Sequence, residues 1–278
     1  MPELPEVKAH AERLQGEFGG AVLERFRALN FTTLKTFDPP PEAGQGHPLA
    51  SVSTRGKFIR LDFGPVGYLV HLMQGGRLRP DPKQAAKPRG GMARWVFDDG
   101  RALMLSEAGK EHSAGVWVYA GSPDELEPVT KLGPDADTVT EPQLVEILGA
   151  DNMRLHGFLR RQGHLAGIGR RLANEICHRA KLSPFAMTTK LEAAQISRLH
   201  AAIISAIDES LAFERSQPEM VKSADRPSLV HHHTGDDCAV CGDTIREVAY
   251  NRYTVHYCAT CQTDGKVLAD NTTSKFLK

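Results

Sequence analysis

The chain has 278 residues, with 34 basic and 34 acidic side chains and a formal net charge of zero. Apolar residues make up 41% and charged residues 24%, the balance of a soluble globular protein long enough for two modest domains. This excludes a disordered chain; no apolar run approaches the roughly 20 residues of a membrane helix, and global charge carries no nucleic-acid signal. The N-terminus, Met1-Pro2-Glu3-Leu4-Pro5-Glu6, is acidic and lacks an apolar signal core, so cytoplasmic residence is expected.

Leu4, Val7, Ala11, Leu14 and Phe18 recur at three- and four-residue steps and predict one apolar face of a helix over residues 4 to 18. Pro5 suits its first turn, and Glu3 and Glu6 suit the positive end of its dipole. From 21 to 120 the period shortens. Segments near 21–29, 49–63, 66–72, 93–97, 102–106 and 115–119 are rich in Val, Leu, Phe and Trp, and Asp98-Asp99-Gly100 is a hairpin signal. These predict a β-sandwich or flattened barrel, with residues 80–91 a mobile loop. Residues 122–142 hold four prolines and little periodicity, as an interdomain linker would.

Beyond the linker the period is helical: 143–149, 154–162, then a helix from Arg170 to about Lys181. Thr189-x-x-Glu192 reads as a capping box opening a long helix that buries Ile196, Leu199, Ile203, Ile207 and Leu211. Residues 214–236 read as a polar loop.

Cys238, Cys241, Cys258 and Cys261 form the pattern Cys-x2-Cys-x16-Cys-x2-Cys. In a reducing compartment this spacing reads as one structural zinc ion with no open coordination position. The alternating stretch Ile245–Tyr257 predicts a hairpin between the two pairs. Cys177 is left over as a small buried apolar residue. Arg252 on the hairpin fits a phosphate or groove contact and equally a solvated turn arginine.

From Asp151 to Lys181 there are seven Lys/Arg and two acids, a basic patch on a neutral chain. Within it, Gly167-Ile168-Gly169 precedes a helix that starts with Arg170 and Arg171. Glycines admit close approach of a ligand, and helix N-terminal amides favour an anion. Two arginines oppose the helix dipole there, which a bound DNA phosphate would explain; the alternative is a tight start of a helix.

If Met1 is removed, the chain begins with a proline amine. An α-amino group has a pKa of about 8, so a useful fraction is unprotonated and able to form a Schiff base. Glu3 beside it could shuttle protons.

The opening Met-Pro-Glu-Leu-Pro-Glu-Val, Arg55-Gly56-Lys57-Phe58, Leu132-Gly133-Pro134-Asp135, Leu165-Ala166-Gly167-Ile168-Gly169 and the finger ending in Tyr257-Cys258-x-x-Cys261-Gln262 follow in order. The chain resembles the formamidopyrimidine-DNA glycosylase and endonuclease VIII family over nearly its whole length. The resemblance implies an α+β protein: an N-terminal helix and β-sandwich (1–125), a linker (126–142), a helical domain with a helix–two-turn–helix motif (143–228), and a β-hairpin zinc finger (229–278). It implies a monomeric, bacterial-type, nucleoid-associated enzyme that binds damaged double-stranded DNA in the cleft between domains. That enzyme flips out the base, attacks C1′ with Pro2 assisted by Glu3, and cuts the strand by β,δ-elimination. Lys57 matches a phosphate-binding lysine.

The chain also departs from the family pattern. Arg170 stands where an asparagine usually follows the Gly-x-Gly turn. The first duplex-inserting position falls on Gln74, with Met73 beside it as an apolar wedge. Ser106–His112 lacks the arginine and phenylalanine that supply the other two. Tyr253 holds the usual place of the finger arginine, with Arg252 adjacent, and the 214–228 loop only loosely resembles the one that closes over 8-oxoguanine. The catalytic trio Pro2, Glu3 and Lys57, kept with altered recognition residues, implies a different lesion preference; a damage- or junction-binding protein without base excision is the alternative.

Overall fold

The structure, a computed structural model, describes residues 1–108, 112–250 and 253–268. The chain divides into two compact units: Met1–Lys131 with Gln217–Ser223, and Leu132–Ser216 with Ala224 onward.

The first unit opens with α1 (Leu4–Phe18). The Glu3 N–H donates to Glu6 Oε2 at 2.5 Å, closing a capping box over the first turn. The apolar stripe expected of this helix is buried, and so are Glu6 and His10 on another face.

Eight strands follow: β1 (Leu23–Ala28), β2 (Ser51–Arg55), β3 (Phe58–Asp62), β4 (Gly67–His71), β5 (Gly76–Pro80), β6 (Gly91–Phe97), β7 (Ala102–Glu107) and β8 (Gly115–Tyr119). They form two antiparallel four-stranded sheets, ordered β1-β6-β7-β5 and β2-β3-β4-β8. Trp95, Phe97, Tyr68, Phe26 and Leu105 fill the core with Leu14 and Phe18 of α1. The helix is pinned to β2 by the Val52 N–H, which donates to Gln15 Oε1 at 2.6 Å. The sequence pattern did not reveal β5, because Leu78 is its only large apolar residue apart from Pro80 and arginines flank it.

Residues between β5 and β6 form a loop, but a tethered one. Arg94 on β6 is 2% exposed; it pairs with Asp81 Oδ2 at 2.7 Å and donates to the Ala85 carbonyl at 2.9 Å. The expectation of a mobile segment misses this tie, since it depends on an arginine inside a strand that reads as core.

The segment expected as a linker contains the short helix α2 (Glu127–Thr130), and the second unit begins at Leu132. That unit holds α3 (Glu141–Ala150), α4 (Leu155–Arg160), α5 (Arg170–Arg179), α6 (Ala193–Arg215), the hairpin β9 (Ile245–Ala249) and β10 (Thr254–Cys258), and α7 (Ala259–Thr263). Helix α6 buries the five apolar residues expected of it. Its capping box, however, is Glu192 with Gln195, not Thr189 with Glu192. Thr189 lies in the preceding 3-10 turn and its hydroxyl donates to Asn152 Oδ1 at 2.7 Å, a tertiary bond that removes it from cap duty. Among the described residues, no helix is long and apolar enough to cross a membrane.

Removing one partner of the Arg94–Asp81 pair leaves a buried charge uncompensated. Asp81→Ala is expected to destabilise the first unit by about 3–5 kcal/mol, and adding Arg94→Met to recover most of that loss. Both tryptophans, Trp95 and Trp117, lie in this unit, so urea unfolding followed by fluorescence reads it directly.

Candidate active site and metal centre

Pro2 and Glu3 are buried at the head of α1, with Glu3 as its N-cap. Lys57 is 6% exposed and sits with Gly56 in the two-residue turn joining β2 to β3, the strands on which α1 packs. Burial, reinforced by the charge of Lys57, lowers the His71 imidazole to about 4. Met73 and Gln74 occupy the turn from β4 to β5, where the chain passes from one sheet to the other. Met73 adopts a left-handed backbone (φ 50°), its N–H donates to His71 Nδ1 at 3.0 Å, and Gln74 is exposed. The stretch Ser106–His112 is described only at its ends, residues 109–111 lying outside the described residues. Glu107 ties those ends, its carboxylate accepting from the Ala114 N–H at 2.7 Å and the Ser113 hydroxyl at 3.2 Å.

The polar face of α1 was not read from the sequence. Glu3, Glu6, His10, Arg13 and Glu17 recur at steps of three and four, a helical stripe opposite in character to the apolar one. His10 Nε2 bonds the Leu78 carbonyl at 2.7 Å. His10, Arg13, Arg77, Arg79, Pro218 and Met220 line a cavity of about 260 Å³. Burial lowers the His10 imidazole to about 4, against the opposing effect of its bond to Leu78.

In the second unit, Gly167 adopts φ 104°, a left-handed conformation that favours glycine. The turn is held by Gln162, whose amide donates to Arg160 and Ile168 carbonyls at 2.9 and 2.8 Å and accepts from the Gly167 N–H at 3.0 Å. The motif Leu132–Asp135 braces the same turn: Ala166 N–H donates to the Pro134 carbonyl and Ala136 N–H to the Ala166 carbonyl. Gly133 fits only as glycine, since a Cβ there would lie 2.3 Å from the His164 carbonyl oxygen. The two arginines after the turn then diverge. Arg170 is exposed, whereas Arg171 is buried, its guanidinium donating to Ser210 Oγ at 3.2 Å and the Pro227 carbonyl at 3.5 Å. An anion is therefore not needed to account for Arg171. The patch is also partly neutralised, with Arg161 on Asp151 at 2.6 Å and Arg179 bidentate on Glu209 at 2.6 and 2.5 Å.

The four cysteine sulfurs lie within 4.8 Å of one another. Cys241 and Cys258 Sγ are 3.4 Å apart, Cys238 and Cys261 Sγ 3.9 Å. A tetrahedral ion with bonds of about 2.3 Å to sulfur needs sulfurs about 3.8 Å apart, so the set fits such an ion. Burial pushes the Cys258 thiol up to about 11 and Cys261 higher, while the Asp243 backbone, through a hydrogen bond, holds Cys241 down. Four thiolates at this place call for a cation to balance them.

The finger is seated on α5. The Glu175 carboxylate accepts the Leu229, Val230 and His231 N–H groups at 2.8, 3.1 and 3.0 Å. Asn174 Nδ2 is 2.8 Å from His231 Nδ1 and 3.2 Å from His256 Nδ1. At the hairpin end, Tyr253 stacks on Tyr250 with Arg160 over its ring at 4.2 Å. Arg252 lies outside the described residues.

The model of the formamidopyrimidine-DNA glycosylase N-terminal domain matches residues 1–110. An uncharacterized formamidopyrimidine-DNA glycosylase-like protein of Mycobacterium tuberculosis is 42% identical over 149 residues, covering 53% of this chain and 94% of that protein. The chain belongs to the formamidopyrimidine-DNA glycosylase family. The formamidopyrimidine-DNA glycosylase of Bordetella parapertussis is 28% identical over 94% of this chain and 99% of its own. Among solved structures, the fold matches that of the Lactococcus lactis Fpg in complex with abasic-site DNA, with a TM-score of 0.82, 21% identity and coverage of 94% and 99%. It also matches MutM in complex with DNA containing carbocyclic 8-oxo-G, with a TM-score of 0.81, 21% identity and coverage of 94% and 100%. The α+β architecture with a four-cysteine cluster near the C-terminus is the one the sequence resemblance implied.

His10 carries a pH prediction. Its folded pKa of about 4 lies below the ordinary histidine value of 6.5, so between these values the unfolded chain binds the proton and the native one does not. Stability of the first unit should therefore fall as pH drops from about 6.5 to about 4, His10 contributing at most about 3 kcal/mol. His10→Gln should flatten that slope in fluorescence-monitored urea unfolding at a series of pH values.

Proposed function

We propose that the protein is a DNA glycosylase of base excision repair that also acts as an AP lyase. The observation that carries this reading is the Pro2–Glu3 pair at the head of a buried, capped helix, in a chain of this family. With Met1 removed, the Pro2 nitrogen attacks the sugar C1′ of a damaged nucleotide. The N–C1′ bond forms, the glycosidic bond breaks, and the base leaves as Glu3 manages the proton. The sugar ring opens to a Schiff base, and β,δ-elimination then cuts the strand.

Lys57 and Arg170 hold phosphates, while Gln74 and Met73 enter the space the base vacates. Arg252 serves a phosphate from the finger. Cys238, Cys241, Cys258 and Cys261 hold one structural zinc ion, which when bound supplies a cross-link that fixes the finger. The partner is damaged double-stranded DNA, met by a cytoplasmic monomer.

Borohydride trapping on abasic-site duplex tests the nucleophile. Protein with a mass proving a Pro2 start should give a covalent complex; its absence would mean a damage-binding protein without base excision. Glu3→Gln should slow excision of a damaged base by about 10²-fold or more while still trapping at an abasic site, where no base has to leave. Elemental analysis should find one zinc per chain, lost in Cys241→Ser.

A further inference from the structure

We infer that His178 is a positioning residue of the metal centre, donating its Nε2–H to the Cys238 thiolate and so tying the metal to helix α5. This rests on the reading of the four cysteines as a metal site.

His178 Nε2 lies 3.4 Å from Cys238 Sγ, within hydrogen-bond range of sulfur, and both groups are buried. It stands outside the set of ligand atoms that lie within 4.8 Å of one another, so it addresses one sulfur and does not join the tetrahedron. Its Nδ1 is buried without a hydrogen-bond partner among the described residues. A thiolate accepts and does not donate, so the ring proton belongs on Nε2; a proton on Nδ1 alone would leave both the buried N–H and the thiolate unserved.

The placement follows from helix geometry. Asn174, Glu175 and His178 are buried neighbours on α5, at steps of one and three. Asn174 meets His231 and His256, Glu175 meets the backbone of 229–231, and His178 reaches the metal ligand itself. The other two contacts serve the chain around the metal. His178 alone of the three acts on a sulfur, where a donated hydrogen bond lowers the negative charge the metal must share and fixes the direction of the thiolate.

Cobalt(II) and spin-active cadmium substitution test this in the full chain. In the wild-type protein loaded with spin-active cadmium, the His178 Nε2–H should show scalar coupling to the metal through the sulfur. His178→Phe removes the donor and keeps a ring. It should shift the cobalt–thiolate charge-transfer band to lower energy and speed metal removal by a chelator by about 10-fold or more. His178→Gln, whose amide can reach the same sulfur, should restore both. Absent coupling in the wild type, or His178→Gln matching His178→Phe, would overturn the inference and leave the metal site standing. Failure of the wild-type chain to take up zinc, cobalt or cadmium would remove the metal reading and the inference with it.

Discussion

Glu175 places a carboxylate where three consecutive backbone N–H groups converge on it. A buried carboxylate is tolerable only when such donors replace its water, and a buried stretch of irregular backbone only when its N–H groups find acceptors. Each side solves the other's problem. The segment so anchored precedes Cys238 by seven residues, and the neighbouring Asn174 engages its last residue, His231, as well as His256 of strand β10. The finger is thus registered on α5 before any metal is considered. The same helix begins at the Gly167–Gly169 turn, so one rigid element carries an exposed arginine at its start and the seat of the finger along its side.

The first unit rests on a comparable economy. Helix α1 buries an apolar stripe against the sandwich core and, of its polar stripe, Glu3, Glu6 and His10. Glu6 caps the helix, and His10 bonds the β5 carbonyl of Leu78. On the proposed function, the Pro2 amine sits on a helix fixed on more than one face, and does not have to be recovered from a frayed end.

Much of this was legible in the sequence where the signal is a repeat or a fixed spacing. The cysteine pairs, the apolar stripes of α1 and α6 and the Asp98–Gly100 hairpin are local patterns, and the structure follows them. What was hidden depends on partners distant in sequence. Arg171 read as half of an anion site, but its acceptors come from α6 and the segment after it. Thr189 read as a cap, but Asn152 takes its hydroxyl. Asn174 and His178 carry no spacing signal, since each works through a residue that only the fold brings near. The polar stripe of α1 was visible in principle as a second three-four repeat; charged residues at that spacing are usually a solvated face, and burial is what gives this one meaning.

The stack at the hairpin end has a consequence for how that surface can meet another molecule. Tyr253 has Tyr250 at a centroid distance of 4.8 Å and Arg160 at 4.2 Å, and Arg154 lies over Phe185 while donating to the Tyr250 hydroxyl. An unstacked base needs an open aromatic face to lie upon. Here the π surface of Tyr253 is already used within the protein, against Tyr250 and Arg160, so this ring offers no open platform. On the proposed function, that stack leaves the protein to meet DNA there through charge and hydrogen bonding along a backbone.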